Sequence, residues 1–233
     1  MIKKFIALWL LAGFGSMFVG LLLGYSPDTA LNHTARYYAD NTVADTGAAN
    51  IVTAIIVTYR GLDTLGEVTV LFLTATIVAL ILSQARQPGG VGSRKAVAAG
   101  ELLQTGSRLL VPLILLFGAY VFVNGHLTPG GGFQGGAIVA SATLLMLLTD
   151  PFRRFSHRLI SVLESISGVL FVVIGVLGLV LAGGFLDNRI LPLGAFGTLF
   201  SAGAIPVIYT LIGLKVGAEF SSMMASLSET EGQ

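Results

Sequence analysis

Cysteine is absent from all 233 residues of the chain. Thiolate-held iron–sulfur clusters, cysteine–zinc sites and disulfides are therefore excluded within it. Charge is scarce too: Asp, Glu, Lys and Arg make up only 11% of the residues, against about 25% in an ordinary soluble domain. The basic residues are dispersed and the formal net charge is +1, so there is no electrostatic footprint for a nucleic acid. What fills the chain is apolar: 54% hydrophobic residues and a mean hydropathy of +0.86. This is the composition of an integral membrane protein.

A transmembrane helix needs about 20 predominantly apolar residues. Residues 5–23 (FIALWLLAGFGSMFVGLLL) meet that requirement behind Lys3 and Lys4. The competing reading is a signal peptide, but the apolar run is long and no A-x-A site follows it. Five further stretches qualify, at about 64–83, 106–125, 133–149, 160–182 and 194–219. The expected fold is an all-α integral membrane protein with six transmembrane helices.

Loop charges give the direction of these spans. Lys3 and Lys4 precede the first. Residues 24–50 carry Asp28, Asp40 and Asp45 against Arg36; residues 84–108 carry Arg86, Arg94, Lys95 and Arg108 against Glu101. The 126–132 loop has no fixed charge, 150–159 holds Arg153, Arg154 and Arg158 against Asp150, and 183–193 holds one Asp187 and one Arg189. Basic clusters alternate with neutral or acidic loops, as six spans with both termini in the cytoplasm require. The glycine-containing stretch SQARQPGGVGSRKAVAAGELLQ (83–104) marks a cytoplasmic linker, bounded at 86–105, between a two-span unit (1–85) and a four-span unit (106–225); 226–233 is a polar tail.

Packing surfaces are legible as small residues at fourfold spacing. Ala12, Ser16, Gly20 and Gly24 line one face of the first span, and Gly136 and Ala140 begin the fourth. Either set fits packing within the chain or against a partner subunit.

Few groups are left to carry chemistry. The helical pattern from Asn50 to Leu82 would be roughly 50 Å as one straight helix, well beyond the roughly 30 Å hydrocarbon thickness. A break near Gly61–Gly66 is expected, with 47–60 along the outer interface. In YRGLDTLGEVTV (59–70), Arg60, Asp63 and Glu67 share a helix face if the helix is continuous. Ionisable residues in a span are costly, and so are candidates for an ion path; an interfacial salt bridge fixing the helix elbow is the alternative. Glu164 in the fifth span and Lys215 in the sixth fall at similar depth, which suggests an ion pair serving as a stepping point or as a structural tie. Glu219, one turn beyond Lys215, competes for the same ammonium. Pro206 is expected to kink the sixth span and free a carbonyl near Ala202.

HLTPGGGFQGG, residues 126–136, places five glycines between two apolar stretches. Pro129 stops a helix, and Gly130, Gly131 and Gly132 allow backbone angles closed to other residues. Gly135 and Gly136 then begin the next span with little side chain. This loop can re-enter, pack tightly or line a wet cavity. The match to G-x-G-x-x-G is spurious, because no strand precedes it. His126 could relay protons near neutral pH or be a hydrogen-bonded loop residue.

These stretches resemble a known family. NGHLTPGGGFQGG, LISVLESISG with Glu164, LPLG at 191–194 and GLKVGAE at 213–219 are similar to the MnhB/MrpB subunit of multisubunit Mrp-type sodium/proton antiporters. Residues 1–85, with YRGLDTLGEVTVLF, resemble the MbhE-type unit, which is also found in energy-converting hydrogenases. The resemblance implies a non-redox, non-enzymatic subunit without a cofactor, multi-pass in a prokaryotic cell membrane. Its implied partners are large antiporter-like and small membrane subunits, the lipid bilayer, Na+ and H+. The joining of two units in one chain leaves the parent open between a stand-alone antiporter and the ion-pumping arm of a redox complex. The chain itself is expected to contribute to an ion path through Glu67, His126, Glu164 and Lys215, or to act as a structural adaptor. A free-standing transporter would need a midplane substrate site that the sequence does not offer.

Overall fold

The structure is a computed structural model that describes residues 2–26, 30–85, 99–150 and 155–231. Most of the linker (with Arg86, Arg94 and Lys95), together with Asp28, Arg153 and Arg154, lies outside the described residues. Among the described residues every regular element is helical. Six helices among the described residues are long and apolar enough to cross a membrane. That is the only architecture besides a closed barrel that satisfies every backbone group in lipid.

The chain divides into two compact units, residues 1–37 and 38–233. In the first, α1 (Ile2–Leu23) is apolar beyond Lys3 and Lys4 apart from Ser16, which returns its hydroxyl to the Gly13 carbonyl at 2.9 Å, the usual way to satisfy a hydroxyl in a membrane helix. Asn32 caps the next helix by accepting from Ala35 N at 2.8 Å. That helix, α2 (His33–Thr46), carries the chain into the second unit. It replaces the loop expected over 24–50. Its mixed polarity carries neither a hydrophobic run nor a clean apolar stripe, so nothing in the pattern announces it.

The second unit is organised around α8 (Ile205–Glu231), which packs against α4 (Gly61–Ala85), α5 (Glu101–Val123), α6 (Gly132–Thr149) and α7 (His157–Leu181). Ile205, Ile208, Ile212 and Val216 form its buried stripe and join Phe171 of α7 in the core. α3 (Ile51–Tyr59) begins as a turn of α-helix and widens into a π-helix over Ala54–Tyr59. It lies at 88° to α2. The break expected near Gly61–Gly66 falls at Arg60, whose φ of −125° and ψ of 38° end the π-helix. Gly61 is required at that corner: a Cβ there would stand 2.9 Å from both the Leu186 side chain and the Phe185 carbonyl.

The sixth span departs from expectation. Residues 194–204 are not helical; α8 starts at Ile205 and continues through the expected polar tail to Glu231. The stretch LPLGAFGTLFSAGA is apolar enough to pass as membrane helix. However, Gly194, Gly197 and Gly203 take positive φ, as does Ala202 at 62°, and the chain folds back on itself. Pro206 therefore sits in the first turn of α8, where its missing N–H costs nothing. It does not kink a span, and the Ala202 carbonyl accepts from Asn188 Nδ2 at 2.9 Å and Ile205 N at 3.2 Å. The proline inside a span is Pro112 of α5.

Candidate functional site

Glycine in the 126–136 loop serves close packing. A Cβ on Gly132 would lie 2.6 Å from the Ile212 side chain, and one on Gly136 would lie 2.7 Å from Val216. A Cβ on Gly135 would meet the Gly118 carbonyl at 2.7 Å, and one on Gly213 would meet Phe122 at 2.4 Å. α6 is thus wedged between α5 and α8 along seams where backbones touch, and Ala140, fully covered, continues that buried face. For Gly136 and Ala140 the packing is within the chain. Gly130 and Gly131, at φ of 152° and 155°, make the reversal that L side chains rarely adopt. Pro129 lies exposed just before it.

That reversal is held by polar groups of residues 49–50, and a second interior amide, Asn188, ties the neighbouring loops. Asn50 accepts from Val52 N as cap of α3, while its Nδ2 donates to the carbonyls of Gly125 at 2.9 Å and Thr128 at 3.0 Å. Ala49 N and Asn50 N both donate to the His126 carbonyl at 3.0 Å. Asn188, fully buried, donates to the carbonyls of Thr46 at 2.8 Å and Ala202. Each of these interior amides satisfies carbonyls that no helix reaches. Sequence reasoning does not find Asn50 or Asn188, because isolated asparagines in loops carry no spacing signal.

His126 is fully buried. Its Nε2 lies 3.3 Å from the Thr198 carbonyl, which can only accept, so Nε2 carries the proton, and Nδ1 has no hydrogen-bond donor among the described residues. Burial lowers its pKa below 6.5, outweighing the backbone contacts at Thr198 and Val123 that raise it. The imidazole is thus a neutral latch between the 124–131 and 195–201 loops. On the same surface, Arg189 grips Asp187 through Nε at 2.9 Å. Burial raises the Asp187 pKa, yet the Arg189 bonds overcome it and the net shift is downward.

Arg60, Asp63 and Glu67 do not form one cluster. Arg60 Nε pairs with Asp63 Oδ2 at 2.5 Å, with both side chains more than half exposed. This is the elbow salt bridge, in a setting where such pairs contribute little. Glu67 is exposed on α4.

Lys215 does not pair with Glu164, contrary to expectation. Its Nζ stands 2.7 Å from Glu219 Oε1 within α8, with the two side chains 9% and 0% exposed. A helix places residues four apart on one face, whereas the partner on α7 must be reached across a helix interface. The ammonium lies 5.0 Å from the Phe72 ring centroid on α4 and packs on Gly168 of α7, where a Cβ would stand 3.5 Å from Nζ. Glu219 Oε2 has no donor among the described residues. Glu164, half-buried one turn before Gly168 on α7, adds its charge to the field at Glu219. Lys215 and Glu219, with Phe72 of α4 and Gly168 of α7 against the ammonium, therefore form a buried charged centre where α4, α7 and α8 meet. Among the described residues no group of three His, Asp or Glu side chains is arranged to hold a metal ion.

A multi-pass helical chain with a buried charge pair in its central helix and a glycine-seamed loop beside it is a membrane-embedded subunit in architecture. Its family follows from two matches. A domain related to the MnhB subunit of Na+/H+ antiporter covers residues 102–222, and MbhE, the E-type subunit of MBH, covers residues 4–92. The chain belongs to the MnhB-related family. One chain in the structure of the membrane-bound sulfane sulfur reductase (MBS), an archaeal respiratory membrane complex, is 40% identical at a TM-score of 0.81, covering 97% of this chain and 98% of that one. A chain in the Mrp complex from Dietzia sp. DQ12-45-1b is 27% identical at a TM-score of 0.75; 97% of this chain is covered but only 26% of that larger one. An uncharacterized protein of Methanocaldococcus jannaschii is 29% identical over 203 residues, 77% of each chain.

Proposed function

We propose that the chain is a membrane subunit of a multisubunit Mrp-type sodium/proton antiporter-like module, in which the Lys215–Glu219 centre is part of a path for protons or sodium ions. The observation that carries this reading is the buried pair itself. A charged pair inside a span is expensive unless used, and Glu219 keeps one oxygen undonated, able to take a proton, a water or a cation. Phe72 and Gly168 bound the ammonium on the α4 and α7 sides, and Glu164, one turn before Gly168 on α7, is the carboxylate proposed as its second partner. Exposed Glu67 lies on α4, and buried His126 in the loop at the other end of α5 from the linker, so neither shares this centre. They remain candidates for separate steps along the path.

A second reading concerns the parent complex. The end-to-end match to a chain of a respiratory complex, against a match to about a quarter of the Mrp chain, favours the membrane arm of a redox complex over a stand-alone antiporter. Electron transfer would then belong to other subunits, and this chain would be no enzyme by itself. The alternating loop charges support cytoplasmic termini in a prokaryotic cell membrane.

The test is ion translocation by the intact complex in proteoliposomes. Lys215→Met and Glu219→Gln should each abolish sodium- or proton-coupled transport while the subunits still copurify. Normal transport with either variant contradicts an ion path through this centre. Loss of assembly with both variants points to the adaptor role.

A further inference from the structure

A separate feature lies at the opposite end of the α5–α6 hairpin from the glycine loop. Between α5 and the end of α6 is a cleft of about 540 Å3, with Arg108, Val111 and Pro112 among its α5 lining and Met146, Thr149 and the carboxylate-bearing Asp150 lining it from the other side. That is within the size range of small-ligand sites. Arg108 is exposed, and no described carboxylate lies within ion-pairing distance of it. It stands seven residues after Glu101, roughly 10 Å along α5, with exposed Pro112 one turn on along the same face and the exposed, apolar Leu109, Leu110 and Leu113 on the rest of the helix surface. At that depth the length of the side chain lets the guanidinium reach only the boundary between hydrocarbon and headgroups.

The other polar groups of the cleft are mostly committed to their own helices. Ser107 donates to the Gln104 carbonyl at 2.9 Å, Thr149 to the Leu145 carbonyl at 2.7 Å, and Gln104 Nε2 to the Ala99 carbonyl at 2.9 Å. The free donor is Arg108. Pro112 adds an acceptor, because it has no N–H to give the Arg108 carbonyl one turn earlier. Val111, Pro112 and Met146 supply an apolar floor. A guanidinium fork, a freed carbonyl and an apolar floor at headgroup depth match a phosphodiester carrying a hydroxyl or ammonium at one end and acyl chains at the other.

We infer that the α5–α6 cleft binds a phospholipid headgroup, with the phosphate on Arg108 and the headgroup's donor turned to the Arg108 carbonyl. The inference rests on α5 as a membrane span and is independent of the ion path.

The intact complex is placed in nanodiscs of phosphatidylcholine doped with phosphatidylglycerol, then released into detergent and examined by native mass spectrometry. The wild-type chain is expected to retain phosphatidylglycerol. Arg108→Gln should lower retention about tenfold, the scale of one lost charge-assisted contact, and Arg108→Lys, which keeps charge without the fork, should fall between. Val111→Phe fills the floor without touching the charge and should also displace the lipid; it decides the matter if Arg108→Gln does not assemble. Unchanged retention in Val111→Phe and in any assembled Arg108→Gln overturns the inference. So does displacement by inorganic phosphate, which would mark a free-anion site. A photo-crosslinker at position 104, which lines the cleft beside an intact Arg108, overturns it too if it yields a protein adduct rather than a lipid adduct, because a partner subunit then covers the cleft.

Discussion

Tyr209 of α8 donates its hydroxyl proton to Thr53 Oγ1 of α3 at 3.2 Å, and Thr53 passes its own to the Gly125 carbonyl at 2.6 Å. Two hydroxyls, each donating once, thus join the central helix to the first turn of α3 and to the glycine loop. The Tyr209 ring also occupies the space over Gly125, where a Cβ would meet it at 2.6 Å.

Removing the phenol hydroxyl alone therefore tests the relay without disturbing the packing. Tyr209→Phe should lower stability by about 1 kcal/mol, the net value of one hydrogen bond, read as a fall in Tm in detergent. Gly125→Ala should do worse than Tyr209→Phe, because it displaces the ring itself.

The spans are legible in the sequence because hydropathy and loop charge act over many residues, and the glycine cluster at 130–136 is visible as a packing signal without its partners. Two features are not. Residues 194–204 are as apolar as a span, and what stops them from being one is positive φ at three glycines and Ala202, which composition does not encode. Matching depths across two helices points Lys215 to Glu164. The within-helix spacing to Glu219 is equally visible and wins because it needs no interhelical geometry. Asn50, Thr53, Asn188 and Tyr209 leave no pattern, since each acts through contacts to residues distant in sequence.

The glycine seam makes a sharper demand. Gly213→Ala puts a methyl 2.4 Å from the Phe122 ring, and overpacking of this kind typically costs about 1–3 kcal/mol. Gly168→Ala, whose Cβ meets only the Lys215 side chain at 3.5 Å, should be milder. Thermal unfolding of the two variants side by side gives the order.

Lys215 and Glu219 should behave as a unit. Lys215→Met leaves a carboxylate buried without its cation, a loss of up to about 3–5 kcal/mol. Lys215→Met combined with Glu219→Leu removes both charges and should recover most of that loss. A double-mutant cycle on Tm that shows simple additivity would rule out the pairing.

His126 predicts a pH effect on one loop. Its folded pKa lies below the ordinary 6.5, so as pH falls the freed loop binds the proton before the latched one does. The latch is at full strength above about 6.5 and weakens as pH drops towards the folded pKa. Hydrogen exchange of the 195–201 amides, corrected for intrinsic rate, should speed up on acidification. In His126→Gln that acceleration should vanish.

As one membrane subunit among several in an ion-translocating complex, this chain should carry its companions through purification. Purification of the tagged full chain from its own membranes in a gentle detergent, with mass spectrometry of everything that comigrates, is the direct test. Large antiporter-like membrane subunits are the predicted companions, and subunits rich in iron–sulfur cysteines beside them would identify a redox arm. Recovery of the chain by itself, active in liposomes without companions, would refute a shared assembly and make it a free-standing transporter.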